Sequence, residues 1–294
     1  MNIVSKKETL LGTEIEIKLP EKFSSFFSNC FSELKRIENT YSRFLDTSEL
    51  SKLNANLGVW HTISDEFLYL IEKSEQIKKQ TDGNFDITLK STLDNLGYDK
   101  NYSFKEKKET KTLIQKIKEV LPLISIDKKN KKVLLRKQIE FGGCGKGFAL
   151  DCASKLLDSK GVTHYYINAG GDIFAKQDGP PWEILLEHPD DSSRVIGKII
   201  LNKKAIAGSN PNKRKWGKHH HLINAKTKLP ANDVKAIFVI APLGIEADAY
   251  ATALFTAGFE NAILISQHLN IEILMISPEN KMYLSPGFEV DLYG

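Results

Sequence analysis

Cysteine is scarce in this chain and unpaired. Cys30, Cys144 and Cys152 form no C-x-x-C motif, and an odd, sparse set argues against a disulfide framework. No apolar run reaches 18 residues, so no segment reads as a membrane span. The opening stretch, Met1 to Thr9, has neither an apolar h-region nor a lipoprotein-type cysteine. As the chain stands it is expected in the cytoplasm, and exported if a leader has been trimmed. Charge of one sign does not dominate. The net charge is +4, spread over Lys-rich surface stretches, which makes nucleic acid a weak hypothesis. Fixed-period repeats and low-complexity linkers are also lacking, and no domain boundary is visible.

Glycine, by contrast, is concentrated. Glu140-Phe141-Gly142-Gly143-Cys144-Gly145-Lys146-Gly147-Phe148 places four glycines within six positions. Glycine is used where the backbone needs positive φ or must approach a ligand. Helical spacing resumes at Phe148 and runs through Ala149, Cys152, Ala153, Leu156 and Leu157 to Lys160-Gly161. The motif is a Gly-rich turn feeding a helix N-terminus, with Lys146 at its mouth. Free N–H groups, the helix dipole and a lysine suit an anion, most often phosphate. It is not a P-loop, since Gly147 rather than Ser or Thr follows Lys146. The dinucleotide fingerprint fails because Phe148 holds its last glycine position. A tight turn that binds nothing is an equal reading of this segment alone.

Periodicity gives a mixed α+β chain. The alternation of Ile15, Ile17 and Leu19 predicts a half-buried strand over Thr9 to Leu19, and Phe23 to Thr40 reads as an amphipathic helix. A polar loop with aromatics follows, then a short helical turn over Glu49 to Leu53. Ser64 is placed to cap a helix over Asp65 to Thr81. Residues 100–118 form a Lys/Glu-rich insert, and a hairpin is expected across Lys128-Lys129-Asn130. Together, 98–135 make a variable segment within one domain spanning 1–294. Further strands are expected over His164 to Asn168, Trp182 to Glu187, Gly197 to Leu201, Lys204 to Ala207 and Ala236 to Ala241. Helices are expected over Ile245 to Gly258 and Asn261 to Leu269. Three strands close the chain. Gly208 to His219 reads as a basic loop.

Three other stretches can carry chemistry. Asp248 and Thr252 share a face of an Ala-rich helix and suit a hard cation such as Mg²⁺. A surface Asp with a back-bonding Thr is the favoured reading by spacing alone. His219-His220-His221 offers a general base, or zinc ligands, or only a solvated run. Asp82-Gly83-Asn84-Phe85-Asp86 and Asn168-Ala169-Gly170-Gly171-Asp172 can each be no more than a turn.

Their order along the chain is more telling. Leu11-Gly12-Thr13, Ser42-Arg43-Phe44, Thr81 to Thr88, Gly142 to Gly147 with Asp151, Ile167 to Asp172, His221-Leu222-Ile223-Asn224 and Ala247 to Ala253 together resemble the ApbE family, the FAD:protein FMN transferases. The resemblance implies an α+β fold with the flavin in a cleft between two halves. It implies Mg²⁺-dependent transfer of FMN from FAD to a Thr or Ser hydroxyl of an acceptor flavoprotein, with release of AMP. Asp248 and Thr252 would hold the metal with the carbonyls of Gly143 and Ala251. Phe44, Asn84, Phe85, Asp86, Glu140, Lys146 and Leu222 would contact the flavin nucleotide, with the Phe44 ring stacked on the isoalloxazine. His221 would deprotonate the acceptor hydroxyl. The same site would also serve a Mg²⁺-dependent FAD pyrophosphatase giving FMN and AMP, or a flavin-binding protein without turnover. Departures from the family's pattern concentrate at Ser209-Asn210, Asn224-Ala225 and Thr227-Lys228, and Glu140 stands where an Asp is usual.

Overall fold

The structure is a computed structural model that describes residues 1–99, 103–105, 121–217 and 219–293. The chain opens with a hairpin, β1 (Ile3–Leu10) and β2 (Thr13–Pro20), then a 3-10 turn, α1 (Phe27–Tyr41), α2 (Glu49–Ala55), β3 (Trp60–Thr62), α3 (Asp65–Gln80) and α4 (Lys90–Asn95). Next come β4 (Ile124–Asp127), β5 (Lys132–Leu135), α5 (Gly145–Ser159), β6 (Tyr165–Ala169) and β7 (Asp172–Lys176). The second half contains β8 (Glu183–His188), β9 (Asp191–Ile200), β10 (Lys204–Ser209), β11 (Lys215–Trp216), β12 (His219–His220) and β13 (Ala236–Ala241). It ends with α6 (Gly244–Ala257), α7 (Phe259–Ser266), β14 (Glu272–Ile276), β15 (Met282–Leu284) and β16 (Asp291–Leu292).

Eight strands form one antiparallel sheet in the order β1-β2-β6-β7-β10-β13-β14-β15. Its central strands are buried on both faces, and alternation shows how. In β13, Ile237, Val239 and Ala241 join the larger core under the helices, whereas Ile240 joins a second core. β14 divides likewise, with Ile273 and Met275 on one face and Leu274 and Ile276 on the other. The first face is covered by α1, α5 and α6. The second is covered by a three-stranded sheet, β16-β9-β8, through Ile184, Leu186, Ile196 and Ile199. Truncating one such side chain to Ala costs about 2–5 kcal/mol. A smaller cluster of Leu89, Leu93, Leu96, Tyr98, Trp216 and Ile223 sits apart, with Phe44 packed against it.

Most expected elements are present. Ile15, Ile17 and Leu19 are fully buried in β2, and the Ser64 side chain caps α3 by accepting from Phe67 N at 3.1 Å. Several expectations need correction. The first strand is a hairpin, since β1 runs antiparallel to β2. The helix expected from Phe23 begins at Phe27, after a 3-10 turn over Glu21–Phe26 that buries no residue. Gly170 and Gly171 (φ 67° and 105°) form the expected turn, and it leads directly into β7, a strand not among those expected. The basic loop holds a 3-10 turn and the short strands β11 and β12. The expected β4–β5 hairpin is present and pairs further with β3. Apart from residues 103–105, the insert at 100–118 lies outside the described residues.

Candidate active site

The helix N-termini of α5 and α6 meet at the base of a cleft of about 830 Å³. α6 is buried nearly all round, which for a helix means a position inside the core. Its small residues let α5 come close. A Cβ on Gly147 would collide with the Gly244 carbonyl, and one on Gly244 with the Gly147 carbonyl. Only glycine fits at this crossing. Asp248 reaches across it, and its Oδ2 accepts from Gly147 N at 3.1 Å. Thr252 follows one turn later on the face that lines the cleft. Gly143 is pressed into the same corner, where a Cβ would sit 3.1 Å from Thr252 Oγ1 and 3.4 Å from the Phe85 ring.

Lys146, in the first turn of α5, forms an ion pair with the buried Asp172 and stands 3.7 Å from Asp248 Oδ1. Burial pulls its ammonium below the ordinary lysine value, and Asp248 opposes that shift. Asp172 enters from the turn between β6 and β7, where Asn168 Oδ1 accepts from Gly171 N at 2.8 Å. Glu140 is buried, and desolvation raises its carboxyl pKa against the pull of Arg43. Its Oε2 accepts from Gly142 N at 2.7 Å, so it folds back to brace the Gly-rich turn.

Asn84, Phe85 and Asp86 line the same cleft. Asn84 is anchored through Nδ2 to Thr81 O at 2.9 Å, and its own carbonyl accepts from the Thr256 hydroxyl at 3.0 Å. Burial raises the Asp86 pKa, but the Thr88 N–H and Lys78 overcome it and hold the carboxyl below its ordinary value. Asp86 caps the 3-10 turn that follows, accepting from Thr88 N at 2.8 Å.

The three histidines part company. His219 packs near Trp216, and His220 is buried with its ring edge toward Phe255. Only His221 lines the cleft, beside Leu222. Its pKa is pulled down to about 3, first by burial and then by the Arg214 guanidinium, so the ring is neutral. His221 Nδ1 lies 3.4 Å from the Arg214 carbonyl. A neutral ring that donates from Nδ1 keeps Nε2 as a proton acceptor. Among the described residues, the one grouping with three metal-type ligand atoms is Glu33, Glu66 and Cys152. Arg36 already pairs with both of its glutamates.

The structure thus brings Gly143, Lys146, Asp248, Thr252, Asn84, Phe85, Asp86, Glu140, His221 and Leu222 to one cleft. The Ala251 side chain is buried in the core of α6, so only its backbone is available to the site. Phe44 is the exception. Its ring stands edge-on to Tyr98 at 6.0 Å with the Arg43 guanidinium 4.8 Å away, and Tyr98, not Phe44, is among the residues lining the cleft. Sequence reasoning assigned no role to Arg214 or Tyr98, which line the cleft and are joined by a 2.6 Å hydrogen bond from Arg214 Nη1 to the Tyr98 hydroxyl. A lone arginine in a basic loop gives no periodic signal.

The side chains at the α5–α6 corner offer one carboxylate, Asp248, and one hydroxyl, Thr252. An all-oxygen set of this kind suits a hard divalent cation such as Mg²⁺ better than zinc. Lys146, in the first turn of α5, adds positive potential for a phosphate beside it.

Residues 11–275 match the ApbE family. The FAD:protein FMN transferase of Buchnera aphidicola (subspecies Schizaphis graminum) is 25% identical, over 97% of this chain and 90% of that protein. The FAD:protein FMN transferase of Haemophilus influenzae is 26% identical, over 83% of this chain and 75% of the other. Among solved structures, an ApbE protein from Thermotoga maritima superposes with a TM-score of 0.88 at 25% identity, covering 98% of both chains. The apo form of the Pseudomonas stutzeri flavinyl transferase ApbE gives a TM-score of 0.83 at 19% identity, covering 97% of this chain and 95% of that one, and so speaks to the fold alone.

Proposed function

This chain belongs to the ApbE family, and on that premise we propose that it is a FAD:protein FMN transferase that moves FMN from FAD to a Thr or Ser hydroxyl of an acceptor protein and releases AMP. The observation that carries this reading is a single cleft holding an oxygen-donor corner (Asp248, Thr252, Gly143), a lysine at paired helix N-termini (Lys146) and a neutral histidine (His221).

The chemistry is a displacement at phosphorus. The acceptor oxygen forms a bond to the FMN-side phosphorus, the bridging P–O bond breaks, and the electron pair leaves with AMP. His221 Nε2 takes the hydroxyl proton as attack proceeds, which only its neutral form can do. Lys146 faces the pyrophosphate from the mouth of α5 and offsets its charge. Asp172 holds the Lys146 side chain in place. The Asn84-Phe85-Asp86 segment and Leu222 form the wall against which the flavin nucleotide lies, with Tyr98 presenting a ring to the cleft and Phe44 supporting it from behind. Asp248 Oδ1, the Thr252 hydroxyl and the carbonyls of Gly143 and Ala251 would hold Mg²⁺. When bound, that cation supplies positive charge to the phosphate oxygens as the bond order changes.

The test is chromatography of FAD incubated with the protein and Mg²⁺, with and without a candidate acceptor domain. AMP together with flavin covalently attached to the acceptor is the expected result. AMP with free FMN, whether or not acceptor is present, would make water the acceptor and the protein a pyrophosphatase. Tight FAD binding without AMP under every condition would leave a flavin-binding protein and overturn the proposal.

A further inference from the structure

The sequence Gly-x-x-x-Asp occurs at the start of both central helices, as Gly147 to Asp151 in α5 and as Gly244 to Asp248 in α6. In the fold the two copies are reciprocal. Asp248 of α6 accepts from the N-terminal N–H of Gly147 in α5 at 3.1 Å. Asp151 of α5 accepts from the N-terminal N–H groups of Gly244 and Ile245 in α6, at 2.6 and 3.0 Å. Each helix therefore caps the other with the acid four residues after its own crossing glycine, and the two glycines touch at the crossing. Neither helix has a side-chain cap from its own N-cap residue, Cys144 or Leu243. The interlock supplies what local sequence does not.

We propose that Asp151 is a positioning residue for the cation site: by fixing the start of α6 against α5 it sets where the Asp248 carboxylate points. One oxygen of Asp248 is engaged by Gly147 N–H; the other, Oδ1, faces the Lys146 ammonium at 3.7 Å and is the one a cation would take. The direction of Oδ1 then depends on the offset between the two helix starts. Asp151 is buried and lies outside the cleft lining, so it reaches the site only through α6. Its two oxygens hold two adjacent N–H groups, a pattern an amide cannot reproduce because it has one acceptor atom. The inference rests on the cation reading of Asp248 given above.

The experiment measures Mn²⁺ binding to the full chain by electron paramagnetic resonance without FAD, so turnover plays no part. Thermal unfolding is recorded in parallel. Asp151→Ala should weaken Mn²⁺ binding by about tenfold or more, and Asp151→Asn by an intermediate factor. Leu70→Ala, a core truncation in α3, should lower the melting temperature without changing Mn²⁺ affinity, which separates positioning from general destabilisation. If Asp151→Ala fails to fold, Asp151→Asn carries the test. A folded Asp151 variant that binds Mn²⁺ within twofold of wild type would overturn the inference and leave the cation site standing. Wild-type protein that binds no Mn²⁺ would remove the cation site itself, and this inference with it.

Discussion

The two walls of the cleft are built on opposite principles. The α5–α6 wall is made of backbone: glycines at van der Waals limits, helix starts, and acids that cap them. The wall carrying His221 is made of side chains hung on short strands and 3-10 turns between Ser209 and Asn224. The departures at Ser209-Asn210 and Asn224-Ala225 fall on the second wall, and Glu140 is the one beside the first. On the proposed reading the first wall meets the cation and the pyrophosphate, and the second meets the acceptor.

Three changes would break or sharpen that contrast. The largest effect belongs to the chemistry on the second wall. His221→Ala should cut flavin transfer by about 10²- to 10⁴-fold, the range for loss of a general base, while FAD binding stays within a few-fold. Equal loss of FAD binding, measured by flavin fluorescence, would show that this wall binds rather than reacts. The same residue fixes a pH expectation. Its folded pKa lies below the ordinary value, so the unfolded chain binds the extra proton, and its contribution to stability is present above about pH 6.5 and lost as pH falls toward about 3. Transfer should therefore show no His221-dependent acid limb near pH 6.5 in a rate profile.

Next comes the first wall. Gly147→Ala forces a methyl into the Gly244 carbonyl, and overpacking of this kind costs about 1–3 kcal/mol or more. A lowered melting temperature with loss of cation binding is expected. Unchanged stability would mean the helices can slide apart and the wall is softer than it looks.

The smallest effect is at Asn224, one of the departures from the family's pattern. Here Asn224 Oδ1 accepts from Lys226 N and Thr227 N, both at 2.9 Å, and Nδ2 donates to Thr256 O at 2.7 Å. Asn224→Asp keeps the two acceptors and turns the donor into a carboxylate facing a carbonyl. A loss of about 1 kcal/mol is expected by denaturant titration, with flavin transfer little changed. A large rise in transfer would mean that this departure, and not the acceptor, sets the rate.

How much was legible follows the same division. Helices and strands with one buried face announced themselves: α3 from its capping serine and apolar spacing, β2 and β13 from their buried positions. β1 did not, because five of its eight residues are exposed and its apolar residues sit at the ends. β7 was hidden because only two residues separate it from β6 and its first residue lies inside what reads as a turn. Asp248 and Thr252 have an ordinary surface explanation and stand out only by their order along the chain, whereas Lys146 is marked by the Gly-rich turn at a helix start. The interlock of Asp151 with Gly244 was not legible, because the partners are 93 positions apart and nothing local links them. The repeated Gly-x-x-x-Asp was the available signal, and its meaning required the crossing.

The account rests on Asp248 holding a cation that the chemistry needs, and the direct measurement is AMP released from FAD as Mg²⁺ is raised, for wild type and Asp248→Ala. Wild type should saturate with Mg²⁺ and stop when the metal is chelated. The variant should be slower by about 100-fold or more and should not recover at high Mg²⁺. Asp248→Ala releasing AMP as fast as wild type would contradict the assignment of this corner as the metal site.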